Sequence, residues 1–246
     1  MAEYPEWLSR TVLMIGEEKL QRLRESHVLV AGMGGVGSWA AEFLVRAGIG
    51  ELSIVDHDRV SVTNRNRQLP ATLSTTGQLK VEVMKERLLD INPELKIHAH
   101  TIFLKDEATP ALLDLARYDF VVDAIDTLSP KIFFIRQCVE RGLPLVSSMG
   151  AGNKLDPSHI KAVDISKTHN CRLAHYIRKH LHKLGIYEGF TAVYSPERPE
   201  EKTIEFAEGE LNKRTIVGTI SYMPAMFGGV CASVVIRKFL GDPANN

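Results

Sequence analysis

The stretch Val28-Leu-Val-Ala-Gly32-Met-Gly34-Gly35-Val-Gly37 decides the fold. Its apolar start reads as a buried strand, and its glycines satisfy G-x-G-x-x-G, a turn in which backbone N–H groups and a helix N-terminus meet phosphate. Ser38 to Ala47 continues with small and apolar residues at helical spacing, stops at Gly48, and leads into a second strand over Glu51 to Val55. Strand, helix and strand in this order predict a parallel sheet with right-handed crossovers. Asp56 ends the second strand about 20 residues past the turn, where an acid can hold a ribose. On the glycines and Asp56 alone, a nicotinamide enzyme is the leading reading.

Three further features point to ATP instead. Asn64, Arg67 and Gln68 fall just beyond the second strand, on the rim of the glycine turn, where a guanidinium and two amides can reach β- and γ-phosphates. Lys80 opens the next helix, expected from Gln78 to Ile91, with its ammonium toward the same side. Asp126 follows the compact strand Phe120 to Ala124 at its C-terminal end, where open α/β sheets bind ligands and a carboxylate can hold Mg²⁺. The Walker pattern is absent, which excludes a P-loop NTPase.

Composition sets the outer bounds. The 246 residues carry a formal net charge of +0 and 44% hydrophobic content, enough for a sizeable core and no global field for nucleic acid. Cys138, Cys171 and Cys231 are too few and too scattered for a disulfide framework, and no CxxC offers zinc, so a cytoplasmic location is expected. No signal peptide is read. The apolar run Met223 to Val235, interrupted by Pro224 and Gly228-Gly229, is too short for a membrane and reads as a buried helix.

After Gly150-Ala-Gly152 the alternation stops. Antiparallel strands are expected around Ile160 to Asp164 and Phe190 to Tyr194, separated by a helix over Arg172 to Leu184, and Pro196 to Glu210 reads as a mobile loop. From Lys161 to Lys183 six basic residues face one acid. Leu173, Ile177 and Leu181 give the helix a packed face and leave Arg172, Arg178, Lys179 and Lys183 to solvent, a pattern suited to RNA phosphates. Cys171, near Lys167, His169 and Arg172, reads as a surface thiol at a helix start. The histidines of this helix have no metal-ligand spacing backed by thiols or acids.

The run Gly32-x-Gly34-Gly35-x-Gly37, Asp56, Asn64-x-x-Arg67-Gln68, Lys80 and Asp126 resembles the ATP site of the ubiquitin-activating-type adenylyltransferases, which include the molybdopterin- and thiamine-pathway activators. The resemblance implies an α/β, Rossmann-like, mostly parallel sheet flanked by helices, with an antiparallel extension in the C-terminal third. It implies one domain over 1–246, with a nucleotide-binding core at 26–150 and a substrate- and tRNA-binding extension at 151–246. Asp56 would bind ribose, Asn64, Arg67, Gln68 and Lys80 phosphates, and Asp126 magnesium, with Arg67, Lys80 and Asp126 as the catalytic set. The family acts as dimers that lend an arginine across the interface; Arg10 is the candidate here.

Within that superfamily, Gly34-Gly-Val-Gly-Ser-Trp39-Ala-Ala-Glu42, Ala47-Gly-Ile-Gly50, Val62-Thr63-Asn64-Arg-Asn-Arg67-Gln68, Asp123-Ala-Ile-Asp126 and Asp156-Pro157 are similar to tRNA threonylcarbamoyladenosine dehydratases. This implies MgATP-dependent cyclisation of the threonyl carboxylate of the modified adenosine at tRNA position 37. The anticodon stem-loop would be the substrate, the enzyme a homodimer, and a cysteine-desulfurase-type sulfur-transfer protein a possible partner. The alternative is adenylation of the C-terminus of a ubiquitin-like sulfur carrier, with Cys171 as the thiol. Some of these dehydratases carry a cysteine near the segment that reads Lys213-Arg214-Thr215 here, and this chain has none.

Overall fold

The computed structural model describes residues 4–198, 204–206 and 215–241. Helices α1 (Ser9–Ile15) and α2 (Glu17–Arg24) lead into β1 (His27–Ala31), and α3 (Gly37–Arg46) returns the chain to β2 (Glu51–Val55). Next come α4 (Lys80–Ile91), β3 (Lys96–His100), α5 (Ala108–Leu113), β4 (Phe120–Asp123), α6 (Leu128–Glu140) and β5 (Leu145–Ser148). The last third holds β6 (Lys161–Asp164), α7 (Arg172–His182), β7 (Thr191–Tyr194), β8 (Ile204–Phe206), β9 (Thr215–Val217) and α8 (Tyr222–Phe239).

Seven strands form one sheet in the order β3-β2-β1-β4-β5-β7-β6, and every neighbouring pair is parallel except β6 with β7. The central strands β1, β4 and β5 are buried along their whole length between two helical layers, including the polar His27, Asp123, Ser147 and Ser148 at their ends. One core, around Val28, Val30, Leu44, Met84, Phe227 and Val235, packs α3, α4 and α8 on one face. The other, around Leu29, Val121, Phe134, Ile135, Ile177 and Leu181, packs α5, α6 and α7 on the opposite face. The α/β architecture is as the sequence predicts.

Several details differ. The two strands expected to be antiparallel do pair so, β6 with β7, but β7 also joins β5 in parallel and so ties the pair into the main sheet; β8 and β9 pair separately as an antiparallel ribbon. Ile204–Phe206 is thus a strand inside the stretch read as a loop, while 199–203 and 207–210 lie outside the described residues, as do Lys213 and Arg214. α8 runs unbroken for 18 residues through Pro224 and both glycines. Pro224 is its third residue, where a missing N–H removes no intrahelical bond, and a Cβ on Gly228 would lie 2.5 Å from the Val36 carbonyl oxygen. No helix among the described residues is long and apolar enough to cross a membrane.

Candidate active site

The turn after β1 is built by close approaches that forbid side chains at two of its glycines. Gly32 has φ +94°, and a Cβ there would sit 2.7 Å from the Ala124 carbonyl oxygen; at Gly37 it would sit 1.7 Å from that of Gly32. Gly35 is closed over by Pro224 of α8, whose Cβ lies 2.9 Å from the added atom. Gly34 differs. Its nearest neighbour would be Gln68 Nε2 at 3.8 Å, so nothing in the chain requires glycine there and the space above it is open.

Asp56 locks the end of β2 to this turn: Met33 N donates to its Oδ2 at 2.7 Å and Asp58 N to its Oδ1 at 2.8 Å. Burial raises the Asp56 carboxyl above its ordinary range, against the pull of the Lys80 ammonium and these two amides. Lys80 opens α4, is 4% exposed, and gives its Nζ to Asp58 Oδ2 at 2.8 Å. Sequence spacing carries no signal for Asp58; only the fold brings it to Lys80.

The segment after the short 3-10 helix Val62–Asn64 brings Arg67 and Gln68 to the rim. Arg67 Nη1 donates to the Thr63 carbonyl at 2.9 Å and to Asn66 Oδ1 at 2.8 Å, which orients the guanidinium from one side. Asn66 in turn donates to the Thr219 carbonyl at 3.0 Å, tying the rim to the start of α8. Asn64 Oδ1 accepts from Ser61 N at 3.1 Å and so caps its own turn. Gln68 turns its Nε2 toward Gly34, and its Oε1 is buried with no hydrogen-bond partner.

Asp126 is exposed past the end of β4. Beneath it, Asp123 is fully buried and held by Lys131 Nζ at 2.8 Å and by Ser147 Oγ at 2.6 Å. Lys131 also donates to the Ile125 carbonyl at 3.1 Å, and Ile125 N donates to Asp123 Oδ1 at 3.1 Å. The turn that carries Asp126 therefore rests on a buried ion pair, another feature that sequence spacing does not reveal.

Arg10 does not approach this turn in its own chain. It follows Leu8, which packs against Gly48 at the opposite end of α3, and it is exposed. Cys171 is buried rather than a surface thiol, and lines a cleft of about 310 Å³ with Asn170, Arg172, His175 and Arg178. A Cβ added at Gly150, past the end of β5, would lie 3.9 Å from Leu173, so the start of α7 sits near the C-terminal end of β5. The solvent face expected of α7 is only partly so: Arg178 is half-buried against Thr168, while Arg172, Lys179 and Lys183 are exposed. The buried stripe is Ala174, Ile177 and Leu181, with Leu173 at its margin. Lys154 is buried and donates to the Glu197 carbonyl, and burial lowers its pKa. Burial raises the thiols of Cys138 and Cys231, the latter to about 12, so both stay protonated at neutral pH.

The chain is similar along its length to known proteins. The tRNA threonylcarbamoyladenosine dehydratase of Bacillus subtilis is 41% identical over 241 residues, 95% of this chain and 94% of that protein. That of Escherichia coli is 35% identical over 251 residues, covering 95% and 93%. The crystal structure of the E. coli enzyme in complex with ATP matches with a TM-score of 0.88 at 33% identity, covering 99% of each chain. The adenylyltransferase and sulfurtransferase MOCS3 of Aedes aegypti is 39% identical over only 56% of this chain and 32% of that protein. The model of the ThiF family matches residues 8–246. By that match and by relatives similar along nearly their whole length, this chain belongs to the ThiF family.

Proposed function

We propose that this chain is an ATP-dependent tRNA threonylcarbamoyladenosine dehydratase. The observation that carries the nucleotide half is the room left at Gly34, whose nearest neighbour would be the Gln68 Nε2 donor at 3.8 Å: packing within the chain does not account for a glycine there, and an amide N–H stands at its edge to meet an anion. The full-length likeness to dehydratases from two bacteria, one solved with ATP, supports the substrate.

The residues assign themselves to roles. Gly32, Gly34, Gly35 and Gly37 cradle phosphate with backbone amides, Asp56 accepts from the ribose hydroxyls, and Arg67, Gln68 and Lys80 meet the triphosphate, with Asn64 shaping the rim. Asp126 is the residue to hold Mg²⁺, which when bound withdraws charge from the triphosphate. A threonyl carboxylate oxygen attacks the α-phosphorus and expels pyrophosphate, and Arg67 and Lys80 offset the charge that develops. The ureido nitrogen then attacks the activated carbonyl, loses its proton, and expels AMP, which carries away the oxygen lost from the carboxylate. This closure is intramolecular and needs no enzyme nucleophile.

Residues 26–150 act as the nucleotide core and 151–246 as the tRNA-binding extension of one domain, with Arg172, Lys179 and Lys183 on RNA phosphates and Arg178 shaping the Cys171 cleft. The enzyme works in the cytoplasm as a homodimer. Leu13 and Met14, 86% and 88% exposed on α1 beside Arg10, supply apolar surface for a second copy and would carry that arginine to its site. A sulfur-transfer protein is a further candidate partner.

The test is mass spectrometry of nucleosides from threonylcarbamoylated tRNA incubated with the protein and MgATP. ATP-dependent loss of one water from the modified adenosine is expected. Intact nucleoside, with pyrophosphate exchange that depends on a ubiquitin-like carrier and on Cys171, would replace this reading with carrier activation.

A further inference from the structure

At the end of the sheet opposite the glycine turn, three side chains converge that play no part in the proposed reaction. His27 opens β1, Glu51 opens β2 and His98 stands at the middle of β3; the strand registers pair His27 with Glu51 and Ser53 with His98. All three side chains emerge on one face of adjacent strands. His98 Nε2 lies 2.9 Å from Glu51 Oε1 and His27 Nδ1 lies 3.6 Å from the same oxygen, and the donor atoms all fall within 4.8 Å of one another.

We propose that His27, Glu51 and His98 form a binding site for a divalent transition metal of the zinc class. Two imidazoles and one carboxylate are the donor set such ions take, whereas Mg²⁺ and Ca²⁺ prefer oxygen alone. In a tetrahedral zinc site with bonds of about 2.0–2.1 Å, donors stand about 3.3 Å apart, between the two separations observed to Glu51. The surroundings suit a ligand role. Ser53 Oγ, 2.9 Å from His27 Nε2, and the edge of the Tyr118 ring, with centroids 4.8 Å apart, fix the imidazole, and Asp119 Oδ2 accepts from the His27 backbone amide at 2.9 Å. Exposure rises outward, from 8% for the His27 side chain through 30% for Glu51 to 49% for His98, so an ion can enter from solvent and a fourth position stays open to water. A bound metal would staple the central strand β1 to β2 and the edge strand β3.

The test uses chelator-treated whole protein without ATP. Zn²⁺ uptake is measured by equilibrium dialysis and coordination by the visible absorption of the Co²⁺ form. One equivalent is expected, with the strong absorption of a four-coordinate cobalt site. His98→Ala and Glu51→Gln should each weaken binding at least tenfold, and His57→Ala, in the cluster with Asp56 and Asp58, should not. Circular dichroism checks that the variants fold. In the unaltered protein, Zn²⁺ should protect His98 from diethylpyrocarbonate and leave the exposed His159 reactive, a readout independent of the variants. Absence of a stoichiometric site, unchanged binding in both variants, or loss of binding in His57→Ala would overturn the proposal.

Discussion

Lys131 and Lys80 each hold an aspartate at 2.8 Å, and each lysine is almost wholly buried, but the two pairs have different uses. At Lys131 both partners are sealed, with 0% exposure on either side, and the remaining bonding capacity goes to Ser147 and the Ile125 carbonyl. At Lys80 the carboxylate of Asp58 is 47% exposed. A sealed pair can only stiffen the chain around it, since no ligand can compete for either charge. An open pair presents a cation whose partner is already half in water, and an incoming phosphate can take that partner's place at modest desolvation cost.

Removing one member of the sealed pair should give the largest effect. Lys131→Met strands the Asp123 carboxylate and is expected to cost about 3–5 kcal/mol of unfolding free energy in urea titrations, whereas adding Asp123→Leu should recover most of it. Equal losses in the single and double variants would break the comparison by showing that shape alone matters there. Lys80→Ala should do the reverse: near-native folding, with turnover down about 10²–10³-fold, or roughly 2.7–4 kcal/mol of transition-state stabilisation.

Glu42 sharpens the contrast as an intermediate case. Burial opposes its charge, but hydrogen bonds from Arg87 and Arg46 overcome this and hold its pKa below the ordinary value. Because the folded value is the lower one, its contribution to stability is full above the unfolded glutamate value and fades as pH falls through the folded one. Glu42→Gln is expected to cost about 1–3 kcal/mol at pH 7 and to flatten the acid limb of the stability profile; an unchanged limb would remove Glu42 from that account. The fully open charges come last. Arg172, Lys179 and Lys183 changed together to Ala should spare ATP affinity and lower the salt slope of tRNA binding by about 0.7–0.9 for each phosphate no longer neutralised.

What the sequence discloses follows the same division. Lys80, Arg67 and Gln68 are legible because they stand at fixed offsets from a glycine turn whose geometry is local. Lys131 is not, because a lysine in a helix reads as solvent-facing until β4 and β5 are known to lie beneath it. Asp58 escapes for a similar reason: its value lies in its ion pair with Lys80, made across the Arg59–Leu79 bridge between segments distant in sequence. The antiparallel pairing of β6 with β7 is the sequence expectation and the outcome; that β7 also docks parallel to β5 is not legible, since local pattern does not say which strand of the sheet a segment will join. Histidine spacing along a single helix says nothing of the pair that meets a carboxylate, because that pair sits on separate strands.

The packing of α8 has a bearing on synthesis. Pro224 covers Gly35, and Gly228 lies against the carbonyl of Val36, so the glycine turn is backed by residues the ribosome adds nearly two hundred positions later. A nascent chain that already displays the residues proposed to meet nucleotide, from Gly32 to Asp126, still lacks the surface that holds the turn in shape. ATP affinity should therefore arrive in a single step near the end of translation, and a chain cut short before α8 would compete neither for nucleotide nor for tRNA.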